Sequence, residues 1–176
     1  SDIGIIQHSS PNFDIRPKNF TVDMLVLHYT GMRDAATALE KLCDPKSKVS
    51  SHYLIDEHGT TYQLVEESHR AWHAGDSHWG GEKDINSLSI GIELVNKGHK
   101  YGYQKFTKIQ VKRLVQLCKN LKKKYRIKNK FILGHSDVAP LRKIDPGEKF
   151  PWDYLSSKGI GNYPSKIRLS EKHKKA

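Results

Sequence analysis

Two short apolar runs that stop at a histidine constrain this chain most: Leu25-Val-Leu-His28 and Phe131-Ile-Leu-Gly-His135. Each reads as a buried strand. If the two strands are neighbours in one sheet, both imidazoles emerge at the same edge. The second run continues into a loop bent by Pro140, which brings back Lys143 and Asp145 before Pro146-Gly147. Such a loop suits a site better than a core, because Lys and Asp are rarely fully buried unless paired. His28, His135 and Asp145 then form three protein ligands with one position left open, the catalytic arrangement for zinc. Imidazole with carboxylate also suits iron or manganese, although no redox or oxygen-handling signature accompanies it. The competing reading makes His28 a satisfied core histidine and Asp145 a loop cap.

The rest of the chain supplies a frame for these runs. Residues 1 to 20 are rich in turn formers (Ser9, Ser10, Pro11, Asn12, Pro17) and read as an irregular, extended arm. Ala35 to Cys43 reads as a short helix stopped by Asp44-Pro45. His52–Asp56 and Thr60–Val65 flank a Gly-containing turn, a hairpin signal. Ser68 to Asp84 has no clear period and reads as a long loop, often a functional element. Ser87 to Val95 reads as a strand in which Gly91 permits close packing. Thr107 and Gln110 fit a capping box, and Val111, Leu114, Val115, Cys118, Leu121 and Tyr125 recur at helical spacing behind it. This order predicts an α/β fold, a single domain with a mixed central β-sheet flanked by α-helices.

Charge and cysteine usage narrow the class further. The formal net charge is +11, and eleven Lys or Arg with no acid lie between Lys105 and Lys130. The balance favours anionic partners, but without interleaved aromatics or a recognised motif no nucleic acid is expected. No apolar run approaches the ~18 residues of a membrane span. Cys43 and Cys118 have no metal-type spacing and read as ordinary thiols. The opening Ser1-Asp-Ile-Gly reads as a cut boundary.

Six blocks, in order, carry a resemblance. They are Leu-Val-Leu-His28-Tyr-Thr; Val49-Ser-Ser-His52-Tyr-Leu-Ile-Asp with Gly59-Thr; Arg70-Ala-Trp72-His73-Ala-Gly75; Ile85-Asn86-Ser-Leu-Ser-Ile-Gly-Ile-Glu93; Gly134-His135-Ser-Asp137-Val-Ala-Pro140; and Lys143-Ile-Asp145-Pro-Gly147. Together they resemble the zinc-dependent N-acetylmuramoyl-L-alanine amidases of the amidase-2 family, which includes the peptidoglycan recognition proteins. The resemblance runs from about Pro11 to Trp152. It implies a sheet-and-helix fold of that family and one Zn2+ held by His28, His135 and Asp145. It implies that Glu93 handles the proton of the attacking water and that Lys143 stabilises the oxyanion. Some phage-type relatives use a tyrosine where this chain has Ser51, which makes Glu93 the stronger base candidate. Trp72, His73 and Asn86 fall in blocks that line the substrate groove in relatives, with Trp79 a weaker candidate. His52 reads as a residue behind the site or in the core.

The implied activity is hydrolysis of the amide between the lactyl group of N-acetylmuramic acid and L-alanine in peptidoglycan or muropeptides. The alternative is a non-catalytic peptidoglycan-binding recognition module. On this reading residues 1–20 are an arm packed on the domain, 21–155 the catalytic domain, and 156–176 a basic tail or linker. A monomer is expected, in the bacterial envelope or periplasm, with a cytoplasmic location as the alternative.

Overall fold

The computed structural model describes residues 4–162. Six strands form the main sheet in the order β1-β5-β4-β7-β3-β8: β1 Ile5–Gln7, β3 Met24–Tyr29, β4 Tyr53–Ile55, β5 Thr61–Gln63, β7 Ser89–Leu94 and β8 Ile132–Gly134. A two-stranded antiparallel ribbon pairs β2 (Phe13–Ile15) with β6 (His69–Ala71). Strands β4, β7, β3 and β8 are mutually parallel, and β5 returns antiparallel beside β4. Met24-Leu-Val-Leu is apolar on both faces because β3 is covered on both, as central parallel strands are. The helices are α1 (Ala35–Cys43), α2 (Ile85–Leu88), α3 (Gly98–Tyr101), α4 (Lys108–Tyr125), α5 (His135–Val138) and α6 (Trp152–Ser157).

Alternation along the strands sorts the two faces. Leu25, Leu27, Ile90, Ile92, Tyr53, Ile55 and Ile132 form one cluster with Val111, Leu114, Val115, Cys118 and Leu121 of α4. The opposite face therefore takes Val26 and His28 from β3, Gly91 and Glu93 from β7, and Leu54 from β4. The lysines of α4 lie off this core, on its outer side, away from the site. Thr107 closes the expected capping box with Gln110, and Arg126 ends α4 at φ 54°. Asp34 caps α1 by accepting from Thr37 N–H, and α1 stops at Asp44-Pro45.

Two stretches differ from the sequence reading. The arm is not irregular throughout, since β1 joins the sheet edge beside β5 and β2 pairs with β6. The long loop from Ser68 likewise contains β6. All three strands are three residues long, too short for an alternation signal, and each is fixed by its partner. Side chains tie the arm down. Arg16 donates to the carbonyls of Glu67, Asn86, Ser87 and Ser89, and Asn12 Nδ2 donates to those of Asp44 and Val49. Both cysteines are free thiols; Cys118 is buried and Cys43 half-buried. Among the described residues no helix is long and apolar enough to cross a membrane. Of the expected basic tail, residues 163–176 lie outside the described residues.

Candidate metal centre

The sheet register builds the site. His28 on β3 lies beside Glu93 on β7, and Leu27 lies beside Gly134, the residue before His135. The two histidine-terminated runs are thus adjacent parallel strands, and the imidazoles meet as expected. The Pro140 loop then returns. Ala139 O accepts from the amides of both Arg142 and Lys143, and Ser136 N–H donates to Asp145 O. These bonds deliver the Asp145 carboxylate to the two rings.

The candidate ligand atoms form a triangle. His28 Nδ1 is 3.0 Å from His135 Nδ1, and Asp145 Oδ2 is 3.3 Å from the first and 3.2 Å from the second. All three residues are buried, and among the described residues they are the one such group. Atoms 2.0–2.1 Å from a tetrahedral zinc are spaced about 3.3 Å apart, so the triangle has the size of one face of that polyhedron. The donor set fits as well. His135 Nε2–H donates to Ala74 O at 2.9 Å, which leaves the Nδ1 lone pair facing the triangle. Burial pushes the His28 imidazole down to about 4, with the neighbouring His135 adding to the effect. Burial also opposes the Asp145 charge, yet the close contacts with the His135 and His28 rings outweigh it and hold the carboxyl below its ordinary value. His28 Nδ1, His135 Nδ1 and the Asp145 carboxylate converge on one point, a donor set suited to a cation at their centre.

Glu93 stands next to this triangle with its Oε2 buried and without a hydrogen-bond partner among the described residues. Burial and the Asp145 charge push its carboxyl well above the ordinary carboxylate range, while Lys143 pulls it down. Lys143 itself is exposed on the loop and lines a cleft of about 490 Å³ with Trp72, His73, Asn86, His135 and Arg142. Arg142 reaches across to Ala74 O and Asp76 O. A hollow of about 870 Å³ elsewhere lies among Arg16, Tyr53, Glu67 and Lys124 and is lined by none of His28, His135 and Asp145. There the Glu67 carboxylate already accepts from Tyr53, Tyr125 and Lys124.

The resemblance singles out His73, Asn86 and His52, and their contacts show how they support the site. Asn86 Oδ1 accepts from the amides of His73 and Ala74, so it holds the loop that carries the Ala74 carbonyl. The His73 ring is buried, with Nδ1 3.0 Å from His28 Nε2 and Nε2 3.0 Å from Ser89 Oγ. Of the three residues placed in the groove by resemblance, Trp72 is the half-exposed one on the cleft wall. His52, wholly buried, accepts from Gly91 N–H through Nδ1 and donates to His69 O through Nε2.

Gly91 is needed for a steric reason. A Cβ there would overlap the His73 ring, which two hydrogen bonds hold in place. Gly91→Ala is expected to destabilise the fold by about 1–3 kcal/mol through overpacking, read as a lower urea midpoint at unchanged slope.

The N-acetylmuramoyl-L-alanine amidase family model matches residues 18–148, a span that contains His28, Glu93, His135 and Asp145. The chain belongs to the N-acetylmuramoyl-L-alanine amidase family. It is 40% identical to the amidase AmiD of Escherichia coli strain K12 over 162 residues, 85% of this chain and 57% of AmiD. It is 36% identical to the 1,6-anhydro-N-acetylmuramyl-L-alanine amidase AmpD of Haemophilus influenzae over 170 residues, 86% of this chain and 90% of AmpD. Among solved structures, E. coli AmiD in complex with anhydro-N-acetylmuramic acid-L-Ala-D-gamma-Glu-L-Lys superposes with a TM-score of 0.76 at 39% identity. That match covers 85% of this chain and 62% of the AmiD chain. The amidase-family chain thus spans little more than half of AmiD but nearly all of AmpD. The expected architecture, a mixed sheet flanked by helices, is the one these neighbours share.

Proposed function

We propose that the chain hydrolyses the amide between the lactyl group of N-acetylmuramic acid and L-alanine in peptidoglycan or muropeptides, releasing stem peptide, with Zn2+ held by His28, His135 and Asp145. The observation that carries this reading is Glu93 Oε2, a buried carboxylate oxygen without a hydrogen-bond partner beside a three-ligand triangle. A structural carboxylate at that depth would be paired; an unpaired one is available to a proton in transit. Zinc there supplies Lewis acidity toward the carbonyl and makes water a nucleophile at neutral pH.

The protein's own groups complete the reaction. Glu93 takes the proton of the attacking water as the carbon–oxygen bond forms, and gives a proton to the alanine nitrogen as the carbon–nitrogen bond breaks. Lys143, held through Ala139 O by its own amide, brings an ammonium to the developing negative oxygen. Trp72 offers an aromatic wall to sugar and peptide. The same reading has the chain act as a monomer in the cell envelope, which size-exclusion chromatography and fractionation check.

The deciding experiment digests intact sacculi and purified anhydro-muropeptides with and without a chelator, followed by mass spectrometry. Release of stem peptides with a free L-alanine amine, lost with the chelator and restored by zinc, is expected. Retention on sacculi with no peptide release would establish a recognition module instead. Lys143→Ala is expected to lower kcat about 10²–10³-fold, the scale for removing one oxyanion partner.

A further inference from the structure

The groups behind the His28 ring form a continuous hydrogen-bonded line. Ser89 Oγ lies 2.7 Å from Ile85 O and donates to it, since a carbonyl only accepts. With its proton spent there, Ser89 Oγ accepts from the next atom in line, His73 Nε2, at 3.0 Å. The His73 proton then resides on Nε2, so its Nδ1 carries a lone pair toward His28 Nε2 at 3.0 Å. His28 Nε2 must in turn carry the proton of that contact, which leaves His28 Nδ1 bare toward His135 and Asp145. The direction of every bond is set at the far end by one backbone carbonyl of α2.

We infer that His73 is the positioning residue of His28: fixed by Ser89 and Ile85 O, it accepts from His28 Nε2–H and so holds the ring in the tautomer and orientation that offer Nδ1 to a metal. The inference rests on the metal-site reading above and deepens it. His73 can fill this place because its surroundings are built for it. Its amide is held by Asn86 Oδ1, and Gly91 opposite has no side chain to displace the ring. The line is separate from the one behind the second ligand, where His135 Nε2–H ends directly on Ala74 O. Both candidate histidine ligands are therefore oriented from the loop after β6, by the consecutive residues His73 for His28 and Ala74 for His135, and only the line through His73 runs on to Ser89 and α2.

The test uses the zinc-loaded chain. Zinc affinity is measured by competition with a chromophoric chelator for wild type, His73→Leu, His73→Gln and Ser89→Ala, with unfolding midpoints recorded in parallel. His73→Leu removes the acceptor and is expected to weaken zinc binding 10–100-fold, the usual cost of losing an outer partner of a ligand. His73→Gln retains an amide oxygen that accepts from His28 Nε2–H and is expected to recover most of the affinity. Ser89→Ala frees the His73 tautomer and is expected to weaken binding in the same direction by less. Long-range ¹⁵N–¹H spectra of wild type should place the His28 proton on Nε2. Equal zinc affinity in wild type and His73→Leu, a Gln variant no better than Leu, or a His28 proton on Nδ1 would each overturn the assignment. Should His73→Leu fail to fold, the Gln and Ser89→Ala pair and the wild-type spectrum decide it. A wild-type chain that binds no zinc would remove the metal reading itself, a result distinct from all of these.

Discussion

His135→Ala is expected to remove bound zinc and stem-peptide release together. The imidazole supplies one corner of a triangle whose edges are 3.0 to 3.3 Å, and the three residues are buried. No other group of this kind exists among the described residues to take its place. Two protein ligands bind zinc far more weakly than three, and the affinity lost is proportionate because the site is preformed by the sheet. The variant should nevertheless fold. His135 opens the short helix α5, outside the apolar cluster that joins α4 to the sheet. The measurement is zinc content by mass spectrometry beside turnover of an anhydro-muropeptide. Wild type should hold about one equivalent, and the variant none after dialysis, with activity at baseline. For an enzyme of ordinary power that is a loss on the order of 10⁶-fold. A His135→Ala chain that still carried a full equivalent of zinc and turned over normally would show that the triangle is not the metal centre.

Much of this site was legible in the sequence, because its parts are attached to the two patterns that sequence shows best. An apolar run that stops at a histidine marks both a strand and the residue at its end; that His28 and His135 share one sheet edge requires the two strands to be neighbours, as the register makes them. The Pro140 bend between His135 and Asp145 marked a returning loop for the same reason. The hairpin from His52 and the capped helix from Thr107 were equally plain, since turn chemistry and a capping box are local. What sequence did not reveal is what depends on contacts between distant elements. Arg16 bonds four carbonyls that lie 51 to 73 positions away, and nothing around Arg16 marks it. The strands β1, β2 and β6 exist because their partners do. His73 carried a resemblance to a groove residue, yet both ring nitrogens are engaged inside the protein, by His28 and by Ser89. The polarity of that line runs back to one carbonyl, Ile85 O, and no pattern in a chain announces which carbonyl will be reached.

Glu93→Gln is expected to lower turnover about 10²–10⁴-fold, the range for losing a general base, while zinc content stays at the wild-type level. The amide has the shape of the carboxyl, and Glu93 contributes no atom to the ligand triangle. Activity and metal content should therefore separate here, whereas in His135→Ala they fall together. The same substitution has an opposite effect on stability. In the metal-free chain the Glu93 carboxyl is raised well above its ordinary value of 4.5, chiefly by burial and then by the Asp145 charge. Between the unfolded and folded values the native state holds a proton that the unfolded chain has released. Stability therefore falls as pH rises through that window, and the whole penalty is present above the folded value. Glu93→Gln carries no such penalty. Metal-free Glu93→Gln should thus unfold at a higher urea concentration than metal-free wild type at pH 8, with the gap closing toward pH 4. Burial that disfavours the Glu93 charge also strengthens its hold on a proton, the property the proposed base role needs. Equal stability at both pH values would mean that Glu93 is solvated or paired in solution, and normal turnover by the Gln variant would move the base to another residue.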